Sequence, residues 1–118
     1  MKTILVVEDN LGIAAFLRDV LSDEGYAVQA AFSCREAMTR LQMSRPELIL
    51  CDLMLPDGSG ETIGRYVEGW PAAPPLILMS AGESPFASGQ SWYRAYLPKP
   101  FEIVQLLDVV ERCIGSSQ

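Results

Sequence analysis

The chain contains no histidine among its 118 residues, and this absence excludes several kinds of site. Histidine is the commonest general base and the commonest metal ligand in proteins. Serine–histidine and cysteine–histidine nucleophiles are therefore excluded, because each needs an imidazole to activate the attacking group. Zinc chemistry is excluded on the same ground.

Cysteine and long apolar runs are also scarce. Cys34, Cys51 and Cys113 lie far apart and without the spacing of a CxxC motif, which is typical of reduced structural thiols in the cytosol. The first apolar stretch ends at Glu8, too early for a signal peptide, and no later run approaches the ~20 residues of a membrane span. We therefore expect a soluble, cytoplasmic protein without membrane association.

Basic residues are few: nine lysines and arginines stand against fifteen acidic residues, for a net charge of −6. This field repels phosphate backbones and anionic lipids, so direct nucleic-acid binding is disfavoured. The length fits one domain over residues 1–118, and the 49% of apolar residues suffice for a core without disulfides.

Apolar runs at residues 4–7, 48–51 and 76–79 are typical of strands covered on both faces. Less apolar strands are predicted at 26–32 and 95–97, and helices follow at about 11–24, 34–41, 61–68 and 103–114. A loop containing Asp57 and Gly58 precedes the third of these helices. Strands thus alternate with helices, which predicts an α/β fold with a parallel sheet between helical layers.

Two helix starts carry capping signals. Asp9 or Asn10 is placed to cap the first helix, and Gly25 to end it. Ser33 and Glu36 have the spacing of a capping box for the second helix.

Polar residues follow four of the predicted strands at the point where each strand ends. They are Glu8 and Asp9, then Asp52, Ser80 and Lys99. The carboxyl ends of parallel strands lie at one edge of a sheet, and sites in such sheets form there. We therefore expect these five side chains to cluster.

Three clustered carboxylates repel one another, which favours a bound cation or a raised pKa on at least one. Mg²⁺ prefers hard oxygen ligands and usually binds through one or two carboxylates with several waters. Asp9 and Asp52 are suited to direct ligation and Glu8 to contact through a water. The backbone carbonyl of Met54 is a further candidate ligand.

The remaining polar residues suit an oxyanion. Lys99 supplies a compact positive charge and Ser80 a hydroxyl donor, while small Ala81 and Gly82 leave the site open. An aspartate is already ionised, so it can accept a phosphoryl group without a general base. This chemistry agrees with the lack of histidine.

The order of these motifs carries a resemblance to a known family. They are Glu8-Asp9 after ILVV, Asp52 in LILCDLMLPDGSG, Ser80-Ala81 in LILMSA and Lys99-Pro100-Phe101 in YLPKPF. Over essentially its whole length the chain resembles the response-regulator receiver domain of two-component signalling. The resemblance implies a flavodoxin-like, doubly wound, five-stranded parallel sheet of strand order 2-1-3-4-5.

The resemblance also implies a function. It implies Mg²⁺-dependent transfer of a phosphoryl group from a histidine kinase or histidine phosphotransfer protein to Asp52. A switch of the output surface would run through Ser80 and Tyr96, and the bond between Lys99 and Pro100 would be cis. Such a chain is a signalling module rather than an enzyme, with catalysis limited to accepting and hydrolysing its own phosphoryl group.

Two departures from the family pattern concern the output face. The segment between Ser80 and Lys99 is short and turn-rich, which predicts a short or irregular fourth helix within residues 81–94. Ala95 stands where many DNA-binding members have an aspartate, which favours a monomer or weak dimer. A receiver-fold domain that docks a partner without phosphorylation is therefore the alternative function.

An enzyme or cofactor protein on the same architecture is a third hypothesis. A flavodoxin needs a phosphate-binding loop after the first strand, but Glu8 and Asp9 there would repel a phosphate. A dehalogenase-type phosphatase would place its nucleophile in a DxD motif after the first strand, whereas Asp52 follows the third.

Overall fold

A computed structural model of the chain describes residues 1–81 and 91–116, which contain strands and helices in alternation. The strands are β1 (Thr3–Val7), β2 (Ala27–Ala31), β3 (Leu48–Asp52), β4 (Met54–Leu55), β5 (Gly58–Ser59), β6 (Leu76–Ala81) and β7 (Ala95–Lys99). The helices are α1 (Leu11–Asp23), α2 (Cys34–Met43), α3 (Gly60–Glu68) and α4 (Ile103–Ile114). The short helix predicted within 81–94 falls mainly on residues 82–90, which lie outside the described residues.

Five of the strands form one parallel sheet of order β2-β1-β3-β6-β7. Counted without the two-residue strands β4 and β5, this is the predicted order 2-1-3-4-5, so the predicted fold is confirmed. The loop expected after Asp52 contains a small antiparallel pair, in which Met54 lies opposite Ser59. This pair turns the chain directly into α3.

The sheet separates two apolar layers because side chains alternate between its faces. On β1, Leu5 and Val7 pack with α2 and α3, whereas Ile4 and Val6 pack with α1 and α4. All four side chains are buried, which explains why the strand reads as a continuous apolar run. Helices therefore cover both faces and leave the strand ends open.

The helix starts differ slightly from the predicted caps. Asn10 caps α1, with its Oδ1 accepting a hydrogen bond from the Ile13 N–H at 2.9 Å. Ser33 Oγ accepts from the Glu36 N–H at 3.1 Å. However, Glu36 Oε1 accepts from the N–H of Phe32, one residue before the cap, at 3.2 Å, so the reciprocal half of the predicted capping box is displaced.

The segment before β7 is anchored by Trp92, which is 2% exposed and packs with Tyr93 edge-on at 4.8 Å between ring centroids. A Cβ at Gly64 on α3 would lie 2.4 Å from a carbon of the Trp92 ring. Only glycine therefore lets the ring lie against the helix. None of the helices in the described ranges is long and apolar enough to cross a membrane.

Candidate functional site at the carboxyl ends of the strands

The site residues come from strands that are neighbours in the sheet. Glu8 and Asp9 follow β1, Asp52 ends β3, Ser80 lies one residue before the end of β6, and Lys99 ends β7. Because β1, β3, β6 and β7 are adjacent and parallel, these residues reach the same edge. One carboxylate oxygen each from Glu8, Asp9 and Asp52 lies within 4.8 Å of the other two.

Lys99 joins this acidic cluster through two ion pairs. Its Nζ lies 2.6 Å from Glu8 Oε1 and 3.3 Å from Asp52 Oδ2. The Glu8 side chain is 1% exposed, and its second oxygen accepts a hydrogen bond from the Asn10 N–H at 3.1 Å. Lys99 is therefore held between two carboxylates, one of which is buried.

Burial and charge shift the pKa values of the paired groups. Desolvation by burial raises the pKa of Glu8, and the neighbouring Asp52 charge raises it further. The hydrogen bonds from Lys99 and from the Asn10 backbone oppose that rise. Burial alone would lower the pKa of Lys99, but the hydrogen bond to Glu8 and the Asp52 charge outweigh it, so the pKa of Lys99 is raised.

Asp52 is partly open to solvent, with its side chain 13% exposed. Met54 beside it is 77% exposed, and Ala81 is exposed as well. Small molecules can therefore approach the Asp52 carboxylate. Gly82, which was also expected to keep the approach open, lies outside the described residues.

The backbone around Asp52 is closely packed. The Leu53 N–H donates to the Met79 carbonyl at 2.9 Å, and the Gly60 N–H donates to the Leu53 carbonyl at 2.8 Å. A Cβ at Gly60 would lie 2.5 Å from the Asp52 carbonyl oxygen. The first residue of α3 must therefore be glycine for the helix to start this close to the site.

Ser80 and Tyr96 are linked across neighbouring strands. The Tyr96 hydroxyl donates to the Ser80 carbonyl at 3.2 Å, and Tyr96 is half-buried against the core. The Ser80 hydroxyl donates only a long bond, 3.5 Å, to the Ala81 carbonyl. The peptide bond between Lys99 and Pro100 is cis.

The acidic cluster fits a magnesium ion by its donor chemistry. Its ligand atoms are carboxylate oxygens, and octahedral sites with Mg–O near 2.1 Å place ligand oxygens roughly 3 to 4 Å apart. The oxygens of Glu8, Asp9 and Asp52 are at most 4.8 Å apart, so small side-chain adjustments would bring them to that spacing. The cluster therefore offers oxygen ligands of the kind that Mg²⁺ prefers, at nearly the spacing that it needs.

Sequence reasoning missed an apolar groove of about 360 Å³ beside the site. It is lined by Ile13, Phe16, Ala81, Lys99, Pro100 and Phe101. Phe16 is 41% exposed although it lies on α1 beside the buried Leu17. The sequence feature that could have indicated this groove is Phe16, a large aromatic residue outside the buried face of α1.

The sequence also did not predict the hydrogen bonds that Asp57 accepts from α2. Its carboxylate accepts hydrogen bonds from the N–H groups of Cys34 at 2.7 Å and Arg35 at 3.0 Å. Those donors are at the start of α2, so Asp57 ties the β4–β5 pair to that helix. Both hydrogen bonds lower the pKa of Asp57.

Comparison with known proteins gives relatives that match most of the chain. The chain is 34% identical over 108 residues to the KDP operon transcriptional regulatory protein KdpE of Escherichia coli, covering 90% of this chain and 48% of that protein. The chain thus spans about half the length of the curated relatives it matches first.

Solved structures are similar over nearly the whole chain. The chemotaxis response regulator CheY4 of Vibrio cholerae superposes with a TM-score of 0.85 at 26% identity, over 96% of this chain and 98% of that one. The signal receiver domain of a signal transduction histidine kinase from Syntrophus aciditrophicus gives 0.86 at 29% identity, over 97% and 90%.

The profile of the response regulator receiver domain family matches residues 4–111. That range begins within β1 and ends within α4, so it includes every strand of the parallel sheet and all the clustered polar residues. The chain belongs to the response regulator receiver domain family.

Proposed function

We propose that the chain is the phosphoacceptor module of a two-component or phosphorelay system and that Asp52 accepts the phosphoryl group. One observation carries the proposal: the partly exposed Asp52 carboxylate lies beside two further carboxylates and the Lys99 ammonium. This combination suits phosphoryl transfer, which depends mainly on alignment and charge neutralisation.

The donor would be a phosphohistidine of a histidine kinase or of a histidine phosphotransfer protein. An Asp52 oxygen would attack the phosphorus, and the phosphorus–nitrogen bond would break, leaving its electron pair on the imidazole. Water would later attack the acyl phosphate and release inorganic phosphate. The groove lined by Phe16 and Phe101 would seat the apolar surface around that histidine, since it opens beside Lys99.

Asp9, Asp52 and the Met54 carbonyl would hold Mg²⁺, with Glu8 acting through a water. When bound, the ion would neutralise negative charge on the carboxylates and the phosphoryl oxygens. The burial of Glu8 and its hydrogen bond from the Asn10 backbone support its role as a fixed charge, because a side chain so held cannot swing away.

Lys99 and Ser80 would bind the phosphoryl oxygens. Lys99 already contacts Asp52 at 3.3 Å, so a phosphoryl group on that carboxylate would come within its reach. The long bond of the Ser80 hydroxyl leaves it free to donate to the new oxyanion instead. Exposed Ala81 would leave room for the group to enter.

Movement of Ser80 would change the output surface through Tyr96. The Tyr96 hydroxyl bonds to the Ser80 carbonyl, so a shift of Ser80 alters the support of that ring. A phosphoryl group adds about −1.5 to −2 charges, which would increase the population of a conformation in which the ring turns inward. Such a module would exchange signals in the cytoplasm, where its three free cysteines stay reduced.

The test is intact-mass spectrometry after incubation with acetyl phosphate, with and without Mg²⁺. We expect one phosphoryl adduct on the wild type in the presence of Mg²⁺ and none on Asp52→Asn. Asp23→Asn is the matched control, because it removes the same charge from the exposed end of α1 and should keep the adduct. An adduct on Asp52→Asn would refute the assignment. The lack of any adduct on the wild type would favour phosphorylation-independent docking.

A further inference from the structure

A second surface lies at the end of the sheet opposite Asp52. Helices in this fold run back against the strands, so the last turns of α2 and α3 lie at the edge where the strands begin. There, an open cavity of about 420 Å³ is lined by Leu41, Gln42, Met43, Ser44, Arg45, Tyr66 and Trp70. We call these seven residues the amino-end groove.

The amino-end groove combines exposed apolar side chains with a stacked cation. Met43 is 81% exposed and Tyr66 38% exposed. The Arg45 guanidinium lies 4.3 Å from the centroid of the Trp70 ring, and Tyr66 meets that ring edge-on at 5.6 Å. Methionine, aromatic residues and arginine are the types enriched where proteins bind one another.

The groove is also locally basic in an acidic protein. The seven groove residues include one arginine and no acidic residue, and residues 34–47 hold three arginines against two glutamates, in a chain of net charge −6. Within the described part of the chain, Arg35, Arg40 and Arg45 form no ion pair with a carboxylate, whereas Arg65, Lys99 and Arg112 do.

The basic residues extend around Met43. An adjoining cavity of about 300 Å³ shares Met43 and is lined also by Arg35, Glu36, Thr39 and Arg40. The Arg40 Nε donates to the Ala30 carbonyl at 3.0 Å, so its terminal nitrogens are the ones left for a ligand. Arg45 and Arg40 thus line the two cavities that share the exposed Met43 side chain. An acidic ligand with apolar residues between its carboxylates is complementary to this arrangement.

We propose that the amino-end groove docks an acidic peptide segment of a partner protein, with apolar side chains between its carboxylates. The carboxylates pair with Arg45 in the groove and with Arg40 in the adjoining cavity, and the apolar side chains pack on Met43 and Tyr66. The groove is at the opposite end of the sheet from Asp52, so a bound segment leaves the phosphorylation site open. The partner can thus be held before and after phosphorylation.

The probe is the acetylated, amidated peptide Gly-Glu-Glu-Leu-Phe-Glu-Glu-Gly, titrated into the ¹⁵N-labelled chain and followed by amide and indole chemical shifts. We expect shifts at Met43, Arg45, Tyr66 and the Trp70 indole. The matched peptide with glutamine for glutamate should bind about fivefold more weakly or worse, since several exposed ion pairs are lost. Binding of the acidic peptide should also weaken as salt is added.

Substitutions in the chain test which of its residues contact the acidic peptide. Arg45→Gln should raise the dissociation constant about three- to fivefold, the effect of one exposed ion pair. Met43→Ser should raise it about tenfold through lost apolar contact. Arg18→Gln, which removes an exposed arginine from α1, is the matched control and should leave it unchanged.

Several results would overturn the proposal. The proposal is wrong if the two peptides bind with equal dissociation constants, or if the chemical-shift changes centre on α1 or around Asp52. It is also wrong if Arg45→Gln binds the acidic peptide as the wild type does. Arg45 would then only cover the Trp70 ring. Shifts of the same resonances on concentrating the chain alone would identify a second copy as the occupant instead. None of these outcomes depends on whether Asp52 is phosphorylated.

Discussion

The two ends of the parallel sheet use charge in opposite ways. At the carboxyl end, Lys99 is held between two carboxylates, one of them buried, so the charges there constrain one another. At the amino end, Arg45 is exposed and forms no ion pair with a described carboxylate. The carboxyl end thus holds a cluster of three carboxylates, two of them in contact with one ammonium, whereas the amino end presents a cation that has no described carboxylate partner.

The two ends also differ in how the chain is secured. The carboxyl end needs close backbone approach, as at Gly60 under Asp52. At the amino end, the Lys2 ammonium donates to the Ile114 carbonyl and the Tyr26 hydroxyl donates to the Gly115 carbonyl. These donors satisfy the carbonyl of the last residue of α4 and that of the C-cap residue after it, which have no partner within the helix. We therefore expect that these hydrogen bonds can be altered with little effect on the chemistry at the carboxyl end.

The largest expected effect comes from breaking the buried ion pair. Lys99→Met leaves the Glu8 carboxylate buried beside Asp52 without its cation, and we expect a loss of about 3 kcal/mol in the free energy of unfolding at neutral pH. Urea unfolding in the absence of Mg²⁺ measures this change in the free energy of unfolding. The double variant with Glu8→Gln should recover most of the loss, because no buried charge is then left unpaired.

Arg112→Met is the surface counterpart of Lys99→Met. It removes a pair with Asp108 whose side chains are 71% and 64% exposed, so the cost should stay below about 1 kcal/mol. Equal losses in the two single variants would mean that the Glu8–Lys99 pair behaves as a surface pair, and the contrast between buried and exposed charge would fail.

The second prediction compares two glycines at opposite ends of α3. Gly60→Ala forces a Cβ against the Asp52 carbonyl and should cost about 1 to 3 kcal/mol as well as slow phosphorylation. Gly69→Ala meets nothing within 4 Å, so it should be neutral or stabilise by up to about 1 kcal/mol through the unfolded state. Thermal unfolding and acetyl phosphate labelling of both variants test this, and equal labelling rates would contradict it.

The sequence predicted the carboxyl end well because a simple rule governs it. Continuous apolar strands in a parallel sheet place whatever follows them at one edge, so Glu8, Asp52 and Lys99 could be grouped without coordinates. Nothing comparable groups Arg45 with Trp70, because they follow different helices and meet only through helix packing. The sequence likewise placed Asp57 in a turn but did not predict its hydrogen bonds to the start of α2, because these also depend on how the helix packs.

The third prediction concerns the amino end alone. Tyr26→Phe removes the donor to the Gly115 carbonyl at 2.9 Å and should cost about 1 kcal/mol, while phosphorylation by acetyl phosphate stays at the wild-type rate. Tyr66→Phe removes a hydroxyl from an exposed tyrosine and serves as the control. A slower phosphorylation of Tyr26→Phe would show that the two ends are coupled.

The smallest effect is a pH dependence at the carboxyl end. Backbone hydrogen bonds from Cys34 and Arg35 lower the pKa of Asp57 below its usual 3.8, so the folded chain binds this proton less readily than the unfolded chain. The stabilisation is therefore present above pH 3.8 and is lost as the pH falls through the lower, folded value. Asp57→Asn should be less stable than the wild type near neutral pH, and the two should converge in acid. Urea midpoints measured from neutral pH to about pH 2.5 would show it. If the urea midpoints of the wild type and of Asp57→Asn changed in parallel with pH, the hydrogen bonds to Asp57 would not distinguish the charged from the protonated carboxyl.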